Sequence, residues 1–187
     1  MTRRQAVNAM KSTLAAAMVV VAIGSMGVRP AAQDGDELRT ITARVHGTFE
    51  DSSGGLGVVS GDMTIARFEV LNGSVTAIGR IVGAMADSSG TVLGRVDQEL
   101  AFAVANVTST CNQLRMDLDA TDAPILQIAV VHFDAEVAGF DSRDGATPKA
   151  RPVLCAAGAL LRGRPTDEAV TRSLNDVVVA LAIRPAR

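Results

Sequence analysis

From residue 40 onward the chain alternates. In TITARVHGTFE (40–50), Ile41, Ala43, Val45 and Phe49 are apolar at odd positions, while Thr40, Thr42, Arg44, His46 and Thr48 take the even ones. Successive strand side chains point to opposite faces, so this period of two predicts a half-buried strand. DSSGGLGVVSGD (51–62) reads as a loop rich in Gly and Ser. MTIARFEVL (63–71) resumes the strand pattern but slips phase. Met63 and Ile65 are odd, Phe68 and Val70 even, which predicts a β-bulge near Ala66–Arg67. Asn72-Gly73 supplies the pair that a type I′ hairpin turn requires, with positive φ at both central positions. The strand SVTAIGRIVGAMA (74–86) then ends at DSSG (87–90), which repeats the tetrapeptide at 51–54. The flanking strands match poorly, so the repeat reads as reused turn chemistry rather than a duplicated unit.

TVLGRVDQELAFAVANV (91–107) predicts one long strand, or two joined by a bend. NQLRMDLD (112–119) sets Leu114, Met116 and Leu118 on one face, and DATDAPI (119–125) reads as a loop. LQIAVVHFDAEVAGF (126–140) reads as a strand with Ala129, Val131, Phe133, Ala135 and Val137 on an unbroken apolar side. A second loop, DSRDGATPKARP (141–152), follows. The character then changes. VLCAAGALL (153–161) is apolar nearly all round, as a short buried helix would be. RGRP breaks it, and Thr166 is placed to N-cap a second helix with Asp167 and Glu168 in its first turn. Val170, Leu174, Val177, Val178 and Leu181 recur there at helical spacing. The order predicts a mainly β domain: an antiparallel sandwich or partly closed barrel of six or seven strands with two C-terminal helices.

What precedes residue 40 has another character. Residues 1–32 read as an export signal peptide: Arg3, Arg4 and Lys11, then the apolar run LAAAMVVVAI (14–23), then small residues. That run is short against the roughly 20 residues of a bilayer-spanning helix, so no stable membrane span is expected once the signal is removed. TRRQAV leaves the twin-arginine and general export routes both open. Residues 33–39 read as a flexible mature N-terminus, and 40–187 as a single domain. Removing 1–32 takes away four basic residues and no acid, leaving 14 basic against 20 acidic residues, a net of −6. A nucleic-acid partner is therefore not expected, because a binder must present cationic groups to the phosphates. Trp and Tyr are absent, which removes the flat amphipathic faces on which sugar-binding modules and tight protein interfaces rely.

Chemistry is sparse. Cys111 and Cys155 suit one disulfide in an exported protein, the alternative being two buried thiols, and their separation is no zinc signature. VVHFDAE (130–136) sets His132, Asp134 and Glu136 at alternate positions, on one strand face and about 6.5–7 Å apart along it. His46 is the second imidazole of the chain. A metal at His132 and Asp134 would need a third ligand, with Glu136 and His46 as the further candidates. An acid/base pair of Asp134 and Glu136 would need surroundings that push their pKa values apart. The apolar odd face must be the core side, so the trio reads as a solvated strand face. Nucleophile-elbow, phosphate-loop and dinucleotide motifs are missing. The strand around Ile78, Ile81 and Val82 is apolar on both faces, with Gly79 and Gly83 between. Its second face predicts a cover, with the C-terminal helices as first candidate and an apolar ligand or partner as the alternative.

Several segments resemble a family of uncharacterised secreted bacterial proteins. FEVLNGSVTAIG (68–79) is similar to its F-x-V-x-N-G-x-[LV]-x-A-[IV]-G hairpin, and CNQLRMDL (111–118) to its C-x-x-L-x-[LM]-x-L segment. VVHFD (130–134), VLCA (153–156) and LNDVV (174–178) follow in matching order. The chain departs from the family before the second cysteine, where DGATPKARPVL replaces a P-G-x-G-N-L-L-G stretch. The resemblance implies a paired Cys111–Cys155 and no established activity. The resulting expectation is an exported, non-enzymatic binding or envelope-associated module. No cofactor or catalytic residue is assigned, and the partner is an apolar small molecule or an envelope protein. The alternatives are a metal-dependent enzyme using His132 and Asp134, or a carrier of an apolar ligand.

Overall fold

The computed structural model describes residues 40–141 and 150–182. The expected signal peptide (1–32), the expected flexible stretch 33–39, most of the 141–152 loop and residues 183–187 lie outside them. Within the described residues the strands are β1 (Ile41–Glu50), β2 (Leu56–Leu71), β3 (Ser74–Ala86), β4 (Val92–Ser109), β5 (Gln113–Leu118), β6 (Thr121–Ile125), β7 (Ala129–Ala135) and β8 (Ala138–Asp141). The helices α1 (Ala150–Leu161) and α2 (Asp167–Ala182) follow.

All pairings are antiparallel. One edge of β1 pairs with β2 from Ile41↔Ile65 to Glu50↔Leu56. Its other edge is shared between β7, at Val45 to Thr48, and β8, at Thr42↔Gly139. Because β8 also pairs with β5, and β5 with the end of β4, six strands (β1, β2, β3, β4, β5, β8) close a ring. β7 and β6 extend the other half of the wall toward β4, where the Gln98 side-chain amide donates to the Pro124 carbonyl at 3.2 Å. Of the two forms the pattern predicts, sandwich or partly closed barrel, the fold is the partly closed antiparallel barrel with two C-terminal helices, built from eight described strands rather than six or seven.

The bulge falls where the phase slips, between Ile65 and Arg67. Asn72 and Gly73 both take positive φ, and the two DSSG turns share one geometry. In each, the Gly N–H donates to the Asp carbonyl, at 3.0 Å for Gly54 and 2.9 Å for Gly90. Four expectations need correction. Residues 56–62, read as loop, belong to β2. Their glycines make room rather than turns, for a Cβ on Gly57 would lie 2.2 Å from the Phe49 ring that faces it in register. DATDAPI, also read as loop, contains β6, whose Pro124 is tolerated because β6 ends the sheet order. The run 126–140 is not one strand. Leu126 and Gln127 form a turn, and the phase breaks again at Glu136–Val137, so Val137 is exposed and Ala138 takes the inward place. Finally, α1 is amphipathic, with Leu154 and Ala157 buried but Ala156 and Ala159 exposed. It begins three residues early, at Ala150, because Pro152 in the first turn forfeits only an N–H with no helical partner.

The interior is filled by large side chains, among them Phe68, Phe102, Phe133, Met63 and Met85, all 2% exposed or less. Leu154 and Ala157 of α1 and Leu174, Val177 and Leu181 of α2 join the same continuous core. Thr166 caps α2 as its sequence predicts, its carbonyl accepting from Val170 N–H at 3.0 Å. Asn175 fixes the helix to the sheet. β1 pairs with β2 only as far as Ile65, leaving Phe68 beyond the paired stretch. There the Asn175 side chain accepts from Phe68 N–H (2.8 Å) and donates to Phe68 carbonyl (2.9 Å), standing in for a missing strand. Cys111, in the β4–β5 turn, is disulfide-bonded to Cys155 of α1. Beside the bridge, Gly158 lets the helix approach β4, since a Cβ there would lie 2.6 Å from the Ser109 carbonyl oxygen.

Candidate functional site

The outer face of β6, β7 and β1 gathers the residues singled out by sequence. His132 faces Asp122 of β6 on one side and Thr48 of β1 on the other. Asp134 faces His46 directly in register. The short strand spacing therefore brings His46, His132, Asp134 and Glu136 onto a single surface, held by the alternation of β1 and β7. They do not converge on one point. His132 Nδ1 lies 2.7 Å from Asp122 Oδ1, whereas His46 Nε2 lies 3.6 Å from Glu136 Oε1. Two separate imidazole–carboxylate pairs result, and the side chains are exposed, at 57% for His132 and 59% for His46. Among the described residues no three His, Cys, Asp or Glu side chains stand close enough together to enclose a metal ion. The Asp122 hydrogen bond, with the charges of Asp122 and Asp134 behind it, raises the His132 pKa above the ordinary imidazole value.

Asp122 is the member of this surface that the sequence reading missed. Thr121, Ala123 and Ile125 alternate inward as a strand should, but Pro124 and the neighbouring Asp residues read as turn signals. Only pairing with β7 resolves the ambiguity.

The helices do not cover the second face of β3 as expected: Ile78 is shielded there, but Val82 stays 42% exposed. The helices join the interior. On the outside, Arg67 of β2 reaches across β3 to Glu99 of β4, at 2.9 Å, and to Glu69 at 2.7 Å. Ile78 pairs in register with Arg67 and with Ala101, so this ion-pair bridge passes over it, and Ile78 is 5% exposed. Arg80 and Asp97 form a second cross-strand pair. Both arginines are held above, and Glu99 and Asp97 below, their ordinary pKa values by these hydrogen bonds.

At one end of the barrel the two DSSG turns meet. The Asp51 carboxylate accepts from Ser53 and Gly55 of its own turn and from the Ser88 N–H of the other, at 2.9 Å. These donors hold its pKa well below the usual carboxylate range. The exposed apolar side chains of Leu126, Ile128 and Val130 lie on the β6–β7 hairpin.

A feature with room for a ligand lies beside Glu136. An open groove of about 420 Å³ runs where β1 hands its edge from β7 to β8, lined by Arg44, Asp62, Arg115, Glu136 and Val137 among others. No helix of the described residues is long and apolar enough to cross a membrane. Compared with known proteins, the chain matches no family model, no curated protein and no solved structure.

Proposed function

We propose that this chain is a bacterial export product that acts outside the cytosol as a binding module rather than as a catalyst. The observation that carries the proposal is the Cys111–Cys155 disulfide, which crosslinks the β4–β5 turn to α1. Such bridges persist in oxidising compartments and are rare in the bacterial cytosol. The basic-then-apolar character of residues 1–32 and the resemblance to secreted bacterial proteins point the same way.

Binding is favoured over catalysis by where the reactive side chains sit. Both imidazoles stand on an open strand surface, each engaged with its own carboxylate. An open face lacks the dry, shaped surroundings that divide acid from base roles in enzymes. A barrel filled by Phe and Met side chains also favours a surface ligand over an apolar cargo held inside. The exposed Ile128 and Val130 offer contact surface to an envelope protein.

Expression of the full-length chain in a bacterial host tests this reading. The expected product is exported, shortened within residues 1–32, lighter by the two hydrogens of the bridge, and without stoichiometric zinc. Uncleaved chain in the membrane fraction, or reduced cysteines in the exported product, would overturn the exported reading. One zinc per chain, lost in His132→Ala, would replace the binding module with the metal-dependent enzyme.

A further inference from the structure

The groove beside Glu136 is built by the handover of the β1 edge. Thr42 of β1, Gly139 of β8 and Arg115 of β5 form one cross-strand row, as Gly139 pairs with both. Gly139 is the low point of the row. A Cβ there would lie 2.8 Å from the Leu114 carbonyl oxygen, so β5 and β8 can meet here only over bare backbone. Thr42, Arg44 and Arg115 are all exposed, and Arg44 stands two residues along β1 from Thr42. Crossing two strand spacings and advancing two residues separates the Arg44 and Arg115 Cα atoms by about 12 Å. Two guanidinium side chains leaning inward can close that span on one oxyanion. Neither arginine forms an ion pair with another described residue.

The opposite charge lines the same groove. Asp62 faces Arg44 in register on β2; Glu136, whose N–H donates to the Arg44 carbonyl at 2.8 Å, lines the groove while its Oε1 lies 3.6 Å from His46 Nε2. A phosphate or other dianion would meet two guanidinium groups but also the carboxylates of Asp62 and Glu136. A simple cation would meet the carboxylates but also two fixed positive charges. A ligand carrying both signs satisfies each set, and an apolar side chain can rest on Val137 and Phe140, which also line the groove. The volume of about 420 Å³ falls within the size range of small-ligand sites.

We infer that this groove binds a small zwitterion, an amino acid or dipeptide, with its carboxylate between Arg115 and Arg44 and its ammonium toward Glu136 and Asp62. The inference rests on the binding-module reading and supplies its ligand class.

Titration calorimetry on the processed, disulfide-bonded chain tests it, with leucine, the dipeptide alanyl-leucine, its C-terminal amide and its N-acetyl form as probes. Binding of either free zwitterion, weakened about tenfold or more by blocking either end, is the expected result; an interaction with a charged group is worth that much. Arg115→Gln weakens binding to a similar degree and abolishes the preference for a free carboxylate over the amide. Glu136→Gln abolishes the preference for a free amine over the acetylated form. Unchanged melting temperatures for these exposed-site variants establish that the fold is intact, and His132→Ala binds as the parent does. No heat of binding for leucine or the dipeptide, equal binding of all the peptide forms, or an unaltered Arg115→Gln variant overturns the inference. Such failure in an exported, zinc-free chain removes the ligand assignment alone, since the binding-module reading is judged by processing and metal content.

Discussion

Leu126 and Gln127 carry a conformation that their side chains disfavour. Their φ angles are 50° and 56°, and Ile128 N–H donates to the Ile125 carbonyl at 3.0 Å, closing a tight hairpin. For residues with a Cβ the left-handed region costs roughly 1–2 kcal/mol each. The same chain meets the same demand at residues 72–73 with Asn-Gly. Replacing Leu126→Asn together with Gln127→Gly should therefore raise stability by about 1–2 kcal/mol, read as a higher urea midpoint with an unchanged slope. No rise would show that the flanking strands, not the turn, set the hairpin's energy. Neither residue type announces a turn, which is why this stretch reads as continuous strand in sequence. His132 invites a second measurement at the same scale. Its pKa is raised in the folded state by Asp122, so the pair favours folding fully below the unfolded imidazole value and loses that contribution as pH rises through the folded one. Titration of the His132 ring by NMR should give a midpoint above that of an ordinary imidazole, and Asp122→Asn should lower it. An unmoved midpoint in Asp122→Asn would assign the shift to other charges on this face.

Elements are held together here by side chains that imitate backbone. Asn175 supplies both a donor and an acceptor to Phe68, where β1 no longer covers β2. Asn175→Leu leaves a strand N–H and carbonyl without partners at the helix contact, at a cost of about 1–3 kcal/mol for each group that water does not reach. Faster hydrogen exchange at the Phe68 amide should accompany the loss of stability. Exchange unchanged from the parent would mean that the helix is held by its apolar face alone. Strand legibility divides along similar lines. β1 alternates without interruption and is plain in sequence, as are the bulge at Ala66, the Asn-Gly turn and the Thr166 cap. β6 is not, because an edge strand can hold Pro124 and polar residues that a central strand would reject. The start of β2 is hidden for a different reason. Gly57 answers the bulk of Phe49 across the strand pair and Gly61 the close approach of the β3 backbone, long-range packing demands that have no local signature. The cover over Ile78 belongs with these cases, since Arg67 and Glu99 are 32 residues apart and meet only once β3 lies between them.

At the scale of the whole molecule, ring closure decides what can be seen from sequence and what cannot. The face shared by His132, Asp134 and Glu136 follows from alternation, but its junction with His46 requires β1 and β7 to be neighbours. The groove over Gly139 requires more, because β8 must sit between β1 and β5 although β5 precedes it by about twenty residues in the chain. The same closure makes the helices part of the barrel rather than an added layer. Leu174, Val177 and Leu181 share one core with Phe68 and Ile81, and the disulfide binds α1 to the β4–β5 turn on the other side. Leu174 is 1% exposed, so Leu174→Ala should cost about 2–5 kcal/mol, as truncation of a barrel core residue does. The loss must also be felt globally. In the oxidised chain, α2 and β2 amides should exchange through one common opening, and Leu174→Ala should lower both protections by the same factor. Selective loss in α2, with β2 unchanged, would show that the helices dock on a barrel that stands without them. In that event the disulfide would serve as a tether for the helices and not as a brace for the shared core.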